Sequence, residues 1–252
     1  MCFDHDSRPP IAPIAGGALD SRELTLTAAD GNRLTAFEAR AADSTNVSIV
    51  ILPDVRGLHD YYVELALRFA ENGIDAVAFD WFGRTAGLGR RAEGFDFPTE
   101  VAKLTWDGMS ADIRAAAAHA ETFQRANSFT VGFCMGGRAA FLSATLGLGL
   151  SGAIGFYGSP VGSGRGGSPQ PVDVVDAMEG RILGLFGGAD ESIPPAAIEA
   201  FDEALTRAGV EHTLKAYEGA PHSFFDRKAD QFAAASDDAW RQVLGFIRQP
   251  PS

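Results

Sequence analysis

Apolar positions along the chain change period several times, and each change marks an element. Residues 23–28 and 33–40 alternate apolar and polar side chains on either side of Asp30-Gly31, which predicts an antiparallel hairpin whose turn tolerates positive φ. The rhythm then shifts. Residues 47–53 form a continuous apolar run, Tyr62, Leu65, Ala66, Phe69 and Ala70 recur at helical spacing, and Asn72-Gly73 closes that helix with a left-handed cap. A second buried strand is expected at 74–79, then a loop over 80–98. Met109, Ile113, Ala116, Ala120 and Phe123 make the stripe of a helix ending near Asn127. The pattern continues with a strand at 129–133, a helix at 136–146, and strands at 151–156 and 182–186. Pro194-Pro195 opens a helix reaching about Ala208, residues 213–217 form the last strand, and a final helix runs from about Phe232 to Ile247.

Strands alternating with helices require a mainly parallel sheet with helices on both faces, here preceded by an antiparallel hairpin. No internal repeat is visible. The Gly-, Ser- and Pro-rich stretch 158–171 is flanked by βα units of the same character, so it reads as a loop. Residues 21–252 are therefore expected to form a single domain behind a Pro- and Gly-rich surface tail, 1–20, that carries no clear chemistry.

Composition narrows the function. With 252 residues, 46% hydrophobic and 21% charged, the chain matches a folded globular protein and excludes disordered, collagen-like and coiled-coil classes. Lys and Arg number 21 against 33 Asp and Glu, a net charge of −12 that repels phosphate backbones and anionic lipid, so neither nucleic acid nor a membrane surface is an expected partner. Residues 139–164 lack any Asp, Glu, Lys or Arg and are long enough to span a bilayer. Six glycines and prolines from Gly147 to Pro160 break that run into pieces, and it reads better as a buried helix followed by a buried strand. The two cysteines, Cys2 and Cys134, make no disulfide framework, and the N-terminus has no apolar segment behind a basic start; a reducing cytoplasm fits both.

The chemistry centres on residues 128–138, where an apolar strand enters Gly132-x-Cys134-x-Gly136 and then a helix. This is the nucleophile-elbow pattern G-x-S-x-G with cysteine in place of serine. Its glycines have a steric purpose: the nucleophile sits on a tight strand-to-helix turn, and neighbours two residues away must lack side chains for strand and helix to approach. Helix amides beyond the turn favour a thiolate and can donate to an oxyanion. Taken alone, the pentapeptide suits a small buried cysteine beside packing glycines equally well. Two later residues shift the balance. Asp190 follows one strand and His222 follows the next, the chain order that places acid and base beside such a nucleophile at the carboxyl edge of the sheet. Singly, Asp190 could cap the helix opened by Pro194, and His222 could be a loop residue bound to backbone. His5, His59, His119 and His212 occupy tail, helix and strand positions that suit structural or solvated roles.

With these residues in view, the chain resembles the dienelactone hydrolase (carboxymethylenebutenolidase) family of α/β-hydrolases over nearly its whole length. The marks are Gly-Phe-Cys-Met-Gly-Gly at 132–137, Gly-Gly-Ala-Asp at 187–190, His-Ser-Phe at 222–224 and the loop Phe-Asp-Trp-Phe-Gly-Arg at 79–84. The resemblance implies the α/β-hydrolase fold and opening of an unsaturated, carboxylate-bearing lactone without metal or organic cofactor. It implies Cys134 as nucleophile, His222 as base and then acid, Asp190 as the group that orients the imidazole, and the Met135 and Val55 amides as the oxyanion hole. Arg84 matches a substrate-gripping arginine, although a solvated loop arginine is an equal reading. The family glutamate that accepts from the resting thiol is replaced by Asp54, one methylene shorter. A second substrate-binding arginine falls at Asp226 or, if the loop shifts by one residue, at Arg227, which leaves dienelactone specificity open. The oligomeric state is undetermined.

Other readings compete. Gly162 to Gly167 matches G-x-G-x-x-G literally but leads into Ser-Pro-Gln-Pro where a dinucleotide site needs a helix. No zinc spacing is present, and Asp190, Glu191 and His222 alone make no metal site. A non-catalytic ligand-binding protein of this fold, or a redox sensor pairing Cys134 with Cys2, is the alternative from a different class.

Overall fold

The hairpin turn sets the first strand pair. Gly31 adopts φ 85° and the Asp30 carboxylate accepts from the Asn32 amide at 3.1 Å, so β1 (Asp20–Thr27) folds back antiparallel on β2 (Arg33–Arg40) with Leu26 opposite Leu34. Beyond it come β3 (Val47–Leu52), α1 (Asp60–Glu71), β4 (Ile74–Phe79), the short α2 (Gly83–Ala86) and α3 (Phe97–Val101), and α4 (Trp106–Glu121). Next are β5 (Asn127–Phe133), α5 (Met135–Ser143), β6 (Gly152–Phe156), β7 (Arg181–Gly187), α6 (Pro195–Ala208), β8 (His212–Tyr217) and α7 (Ala233–Arg248). This is a computed structural model, and it describes residues 3–14 and 20–249.

The strands form one eight-stranded sheet in the order β1-β2-β4-β3-β5-β6-β7-β8. β2 pairs antiparallel with β4, and every pairing from β3 and β4 to β7 and β8 is parallel. The expected mainly parallel α/β sheet with an N-terminal antiparallel hairpin is therefore the fold observed. Parallel strands must be covered on both faces, and β3 shows how the sequence achieves this. Ile49 and Ile51 point into one core with Ala76 and Ala78 of β4, the α1 residues Leu65 and Phe69, and Val243 of α7. Val50 and Leu52 point into the other core with Val77 and Phe79, under Met109, Ile113 and Ala116 of α4. One strand thus feeds two cores with period 2, although all six of its residues are buried.

Caps set the helix ends. His59 precedes α1 and its Nδ1 accepts from the Tyr61 amide, Thr105 Oγ1 caps α4, and Gly209 ends α6 at φ 71°. The expected loop over 80–98 contains α2, and α3 begins at its end. Several helix ends lie a few residues from their sequence-read positions, because short turns there satisfy the free backbone groups. The stretch 158–171 is a loop with short 3-10 turns. Among the described residues no helix is long and apolar enough to cross a membrane, and residues 139–164 divide between α5 and β6. The first residues do more than lie on the surface: Phe3 is 1% exposed.

Candidate active site

Cys134 occupies the sharp junction between β5 and α5. Its backbone has φ 55° and ψ −113°, outside the regions open to ordinary L-residues, and its amide donates to the Phe156 carbonyl at 3.0 Å. Such strain persists only where the surroundings over-determine the turn, and the flanking glycines show how they do so. A Cβ on Gly132 would run into the Gly136 carbonyl, and one on Gly136 would run into the carbonyls of Leu52 and Pro53. Strand and helix consequently pack backbone to backbone, with Cys134 at the apex.

Asp190 follows β7 and His222 follows β8, the adjacent strand. His222 Nδ1 and Asp190 Oδ2 share a hydrogen bond of 2.6 Å. The other carboxylate oxygen accepts from the Ser192 amide at 2.9 Å and the Ser192 hydroxyl at 2.6 Å. Burial alone would raise the Asp190 carboxyl, but the hydrogen bonds from His222 and Ser192 outweigh it and hold its pKa below 3.8. The imidazole is thus held through Nδ1 by an ionised carboxylate. The Tyr157 ring lies tilted against the imidazole, its centroid 4.8 Å away.

Cys134, His222, Val55 and Met135 line one cavity of about 410 Å³. The rest of its wall is mostly apolar, with Phe3, Phe97, Tyr157, Val161 and Ile193 beside Arg138 and Arg165. Around Val55, the amides of Asp54, Arg56 and Gly57 are engaged by Tyr62 Oη, the Asp54 carboxylate and the Asp54 carbonyl respectively. Val55, in the turn after β3, and Met135, in the first turn of α5, both line the cavity with Cys134.

The two arginines proposed to grip substrate lie elsewhere. Arg84 is on α2, ion-paired to Asp112 at 2.8 Å and to Asp30, and does not line the cavity. This pairing ties the β1–β2 turn to α4. Arg227 is exposed and also outside the cavity wall. Asp54 is buried and forked onto Arg56, its oxygens 3.0 to 3.2 Å from Nε and Nη2, and Arg56 Nη2 also donates to Asp226. Asp54 therefore serves a buried charge cluster of two acids and one base. Burial pushes the Asp226 carboxyl up to about 6, against the lowering effect of an Arg56 that it shares with Asp54.

Among the residues of the site not singled out from sequence are Ser192, Arg138 and Arg165. Ser192 steadies Asp190, and an Asx-turn signature two residues beyond the acid was available to find it. Arg138 lies on α5, and its two Nη atoms donate to the carbonyls of Ser159, Val161, Gly162 and Pro169 at 2.8 to 3.0 Å, which pins the loop that walls the cavity. Arg165 is carried by that loop and is exposed at the cavity wall. The remaining histidines have structural partners: His59 caps α1, His119 meets Glu38 at 2.6 Å, His212 meets Asp202 at 3.1 Å, and the His5 ring abuts Phe3. Cys2 lies outside the described residues.

Comparison with known proteins agrees with this architecture. The dienelactone hydrolase family matches residues 34–250. A protein of Escherichia coli (strain K12) named "Putative carboxymethylenebutenolidase" is 27% identical over 96% of this chain and 94% of its own length. A protein of the same name from Synechocystis is 30% identical over 77% of this chain and 82% of its own. The crystal structure of a "Putative Dienelactone Hydrolase" from Klebsiella pneumoniae superposes with a TM-score of 0.80 at 28% identity, covering 92% of this chain and all of that one. The fold also matches, with a TM-score of 0.75 at 19% identity, a dienelactone hydrolase-like promiscuous phosphotriesterase from metagenomic libraries. An elbow at Cys134, an acid and a histidine after successive strands, and a family match over most of the sequence agree, and the chain belongs to the dienelactone hydrolase family of α/β-hydrolases.

Proposed function

We propose that this hydrolase opens small lactones or cleaves small activated esters through Cys134, His222 and Asp190, by way of a thioester acyl-enzyme. Cys134 Sγ, as the thiolate, attacks the carbonyl carbon, and the amides of Val55 and Met135 receive the charge that develops on oxygen. The C–O bond to the leaving alkoxide or enolate breaks as the thioester forms, and His222, which took the proton of the Cys134 thiol, passes it to the leaving oxygen or, where that oxygen departs as an enolate, to solvent. His222 Nε2 then takes a proton from water, whose oxygen attacks the thioester and releases the acid and the thiolate. Asp190 holds the ring in the tautomer and orientation that this requires. Cysteine suits activated substrates because an enolate or aryl oxide departs with little protonation, whereas ordinary amides would react poorly.

The observation that carries this reading is the 2.6 Å His222–Asp190 hydrogen bond at the wall of the same cavity that receives the strained Cys134 turn. Intact-mass measurement after mixing with an activated aryl ester tests it. The expected result is an acyl adduct that is discharged by hydroxylamine and absent in Cys134→Ala. Turnover by Cys134→Ala at the wild-type rate would overturn it.

Recognition of a substrate carboxylate falls to Arg165 in this reading. Arg84 is neutralised by Asp30 and Asp112, and Arg138 is occupied by four carbonyls. A panel of lactones and aryl esters, each with and without a carboxylate, should show Arg165→Ala losing about tenfold in kcat/KM for the acids alone.

A further inference from the structure

The opening segment of the chain forms part of the cavity wall. Phe3 is buried and lines the same space as Cys134 and His222. Its ring meets Phe97 edge-on, centroid to centroid 5.4 Å, and the Arg56 guanidinium carbon lies 4.6 Å from its centre. Arg56 also holds the backbone that follows: Nη1 donates to Ser7 Oγ at 3.0 Å and to the Asp4 carbonyl at 3.4 Å. Arg56 is itself fixed, with its side chain 2% exposed and both Asp54 and Asp226 on it. Asp226 lies four residues beyond His222 in the same loop. A buried cation thus ties three things together: the turn carrying the Val55 amide, the loop carrying His222, and the segment carrying Phe3.

A surface tail needs none of this. An arginine bonded to two acids and still donating to the N-terminal segment sets that segment's position, and an aromatic ring held this way cannot yield to substrate as a loose chain would. We propose that Phe3 is a specificity-determining residue, seated by Arg56 as a positioning residue, and that it limits the length of the apolar substituent the cavity accepts. Behind this wall stand two carboxylates and one guanidinium, so the substituent that packs there is uncharged and compact. The inference rests on the cysteine-hydrolase reading of this cavity and goes beyond it in naming the substrate class.

The test uses the full-length protein and two series of p-nitrophenyl and alkyl esters, one lengthening the acyl chain from acetate to octanoate, the other lengthening the alcohol. In Phe3→Ala the ratio of kcat/KM for the longest to the shortest member of at least one series should rise by about tenfold or more. Phe3→Trp should lower the same ratio, and Arg56→Lys should move it in the direction of Phe3→Ala. Phe3→Leu serves where Phe3→Ala is poorly folded by circular dichroism. The same wall is read without chemistry by equilibrium binding of straight-chain methyl ketones to Cys134→Ala, in which adding Phe3→Ala should tighten the longer ketones relative to acetone. Unchanged chain-length profiles in both esters and ketones would overturn the role of Phe3. A wild-type protein that cleaves no ester yet shows the ketone shift would overturn the hydrolase reading and leave the wall in place.

Discussion

At residue scale the candidate site depends on a few groups whose chemistry is set by single contacts. Asp190 is the clearest. Its hydrogen bond to His222 Nδ1 orients an imidazole that would otherwise turn between tautomers, so Asp190→Asn should lower kcat for an activated ester by about 10²- to 10⁴-fold with little change in KM, measured by stopped-flow and steady-state kinetics. Cys134→Ala should abolish the acyl adduct altogether. The glycines beside Cys134 make a second residue-scale prediction. Gly136→Ala places a methyl against the backbone carbonyls of Leu52 and Pro53, neither of which can rotate away. Overpacking of this kind costs about 1–3 kcal/mol or more, and the urea midpoint should fall accordingly.

At the scale of elements, one arginine governs the loop over the cavity. Arg138 projects from α5 and binds four carbonyls of the segment between β6 and β7, a segment with no strand or long helix of its own. Charged hydrogen bonds of this type contribute about 1.5–3 kcal/mol each before the entropy of ordering the loop is set against them. Arg138→Gln should leave the sheet intact and let the loop open locally. Tryptic cleavage at the exposed Arg165 should then quicken by about tenfold or more, while the midpoint of global unfolding moves little. Arg84 plays a comparable part elsewhere, joining the β1–β2 turn to α4 through Asp30 and Asp112.

For the whole molecule, two buried acids shape the dependence of stability on pH in opposite directions. Asp190 titrates below its ordinary 3.8 in the folded state, so its contribution is present above that value and is lost as pH falls through the lower folded pKa. Asp226 is pushed up to about 6, so its contribution is complete below 3.8 and is lost as pH rises through about 6, where a second charge must form beside an arginine already paired. From these two groups, stability measured by urea unfolding should therefore peak near pH 4 and fall as pH rises from there to about 6. Asp226→Asn should match the wild type near pH 4 and exceed it above pH 6, by at most about 3 kcal/mol for a shift of some two units.

Much of this protein was determined by its sequence alone. The two-residue and 3.6-residue periods, with caps such as His59 and Gly209, specify strands and helices because burial of apolar surface depends on spacing along the chain. Gly132, Cys134 and Gly136 made the elbow legible because its steric demands fall on adjacent positions, and Asp190 and His222 could be read because a parallel sheet delivers successive strand ends to one edge. Tertiary structure alone decided where each charge found its partner. Arg84 looked free for substrate and lies between Asp30 and Asp112, Asp54 turned to Arg56, and Phe3 crossed from an unremarked tail into the cavity wall. Apart from the Asp54–Arg56 pair, whose partners are 2 residues apart, these outcomes depend on contacts 28 to 170 residues apart, made by side chains that take whichever buried partner lowers the cost of desolvation. Local sequence carries no record of that choice, which exists only once the sheet has closed around it.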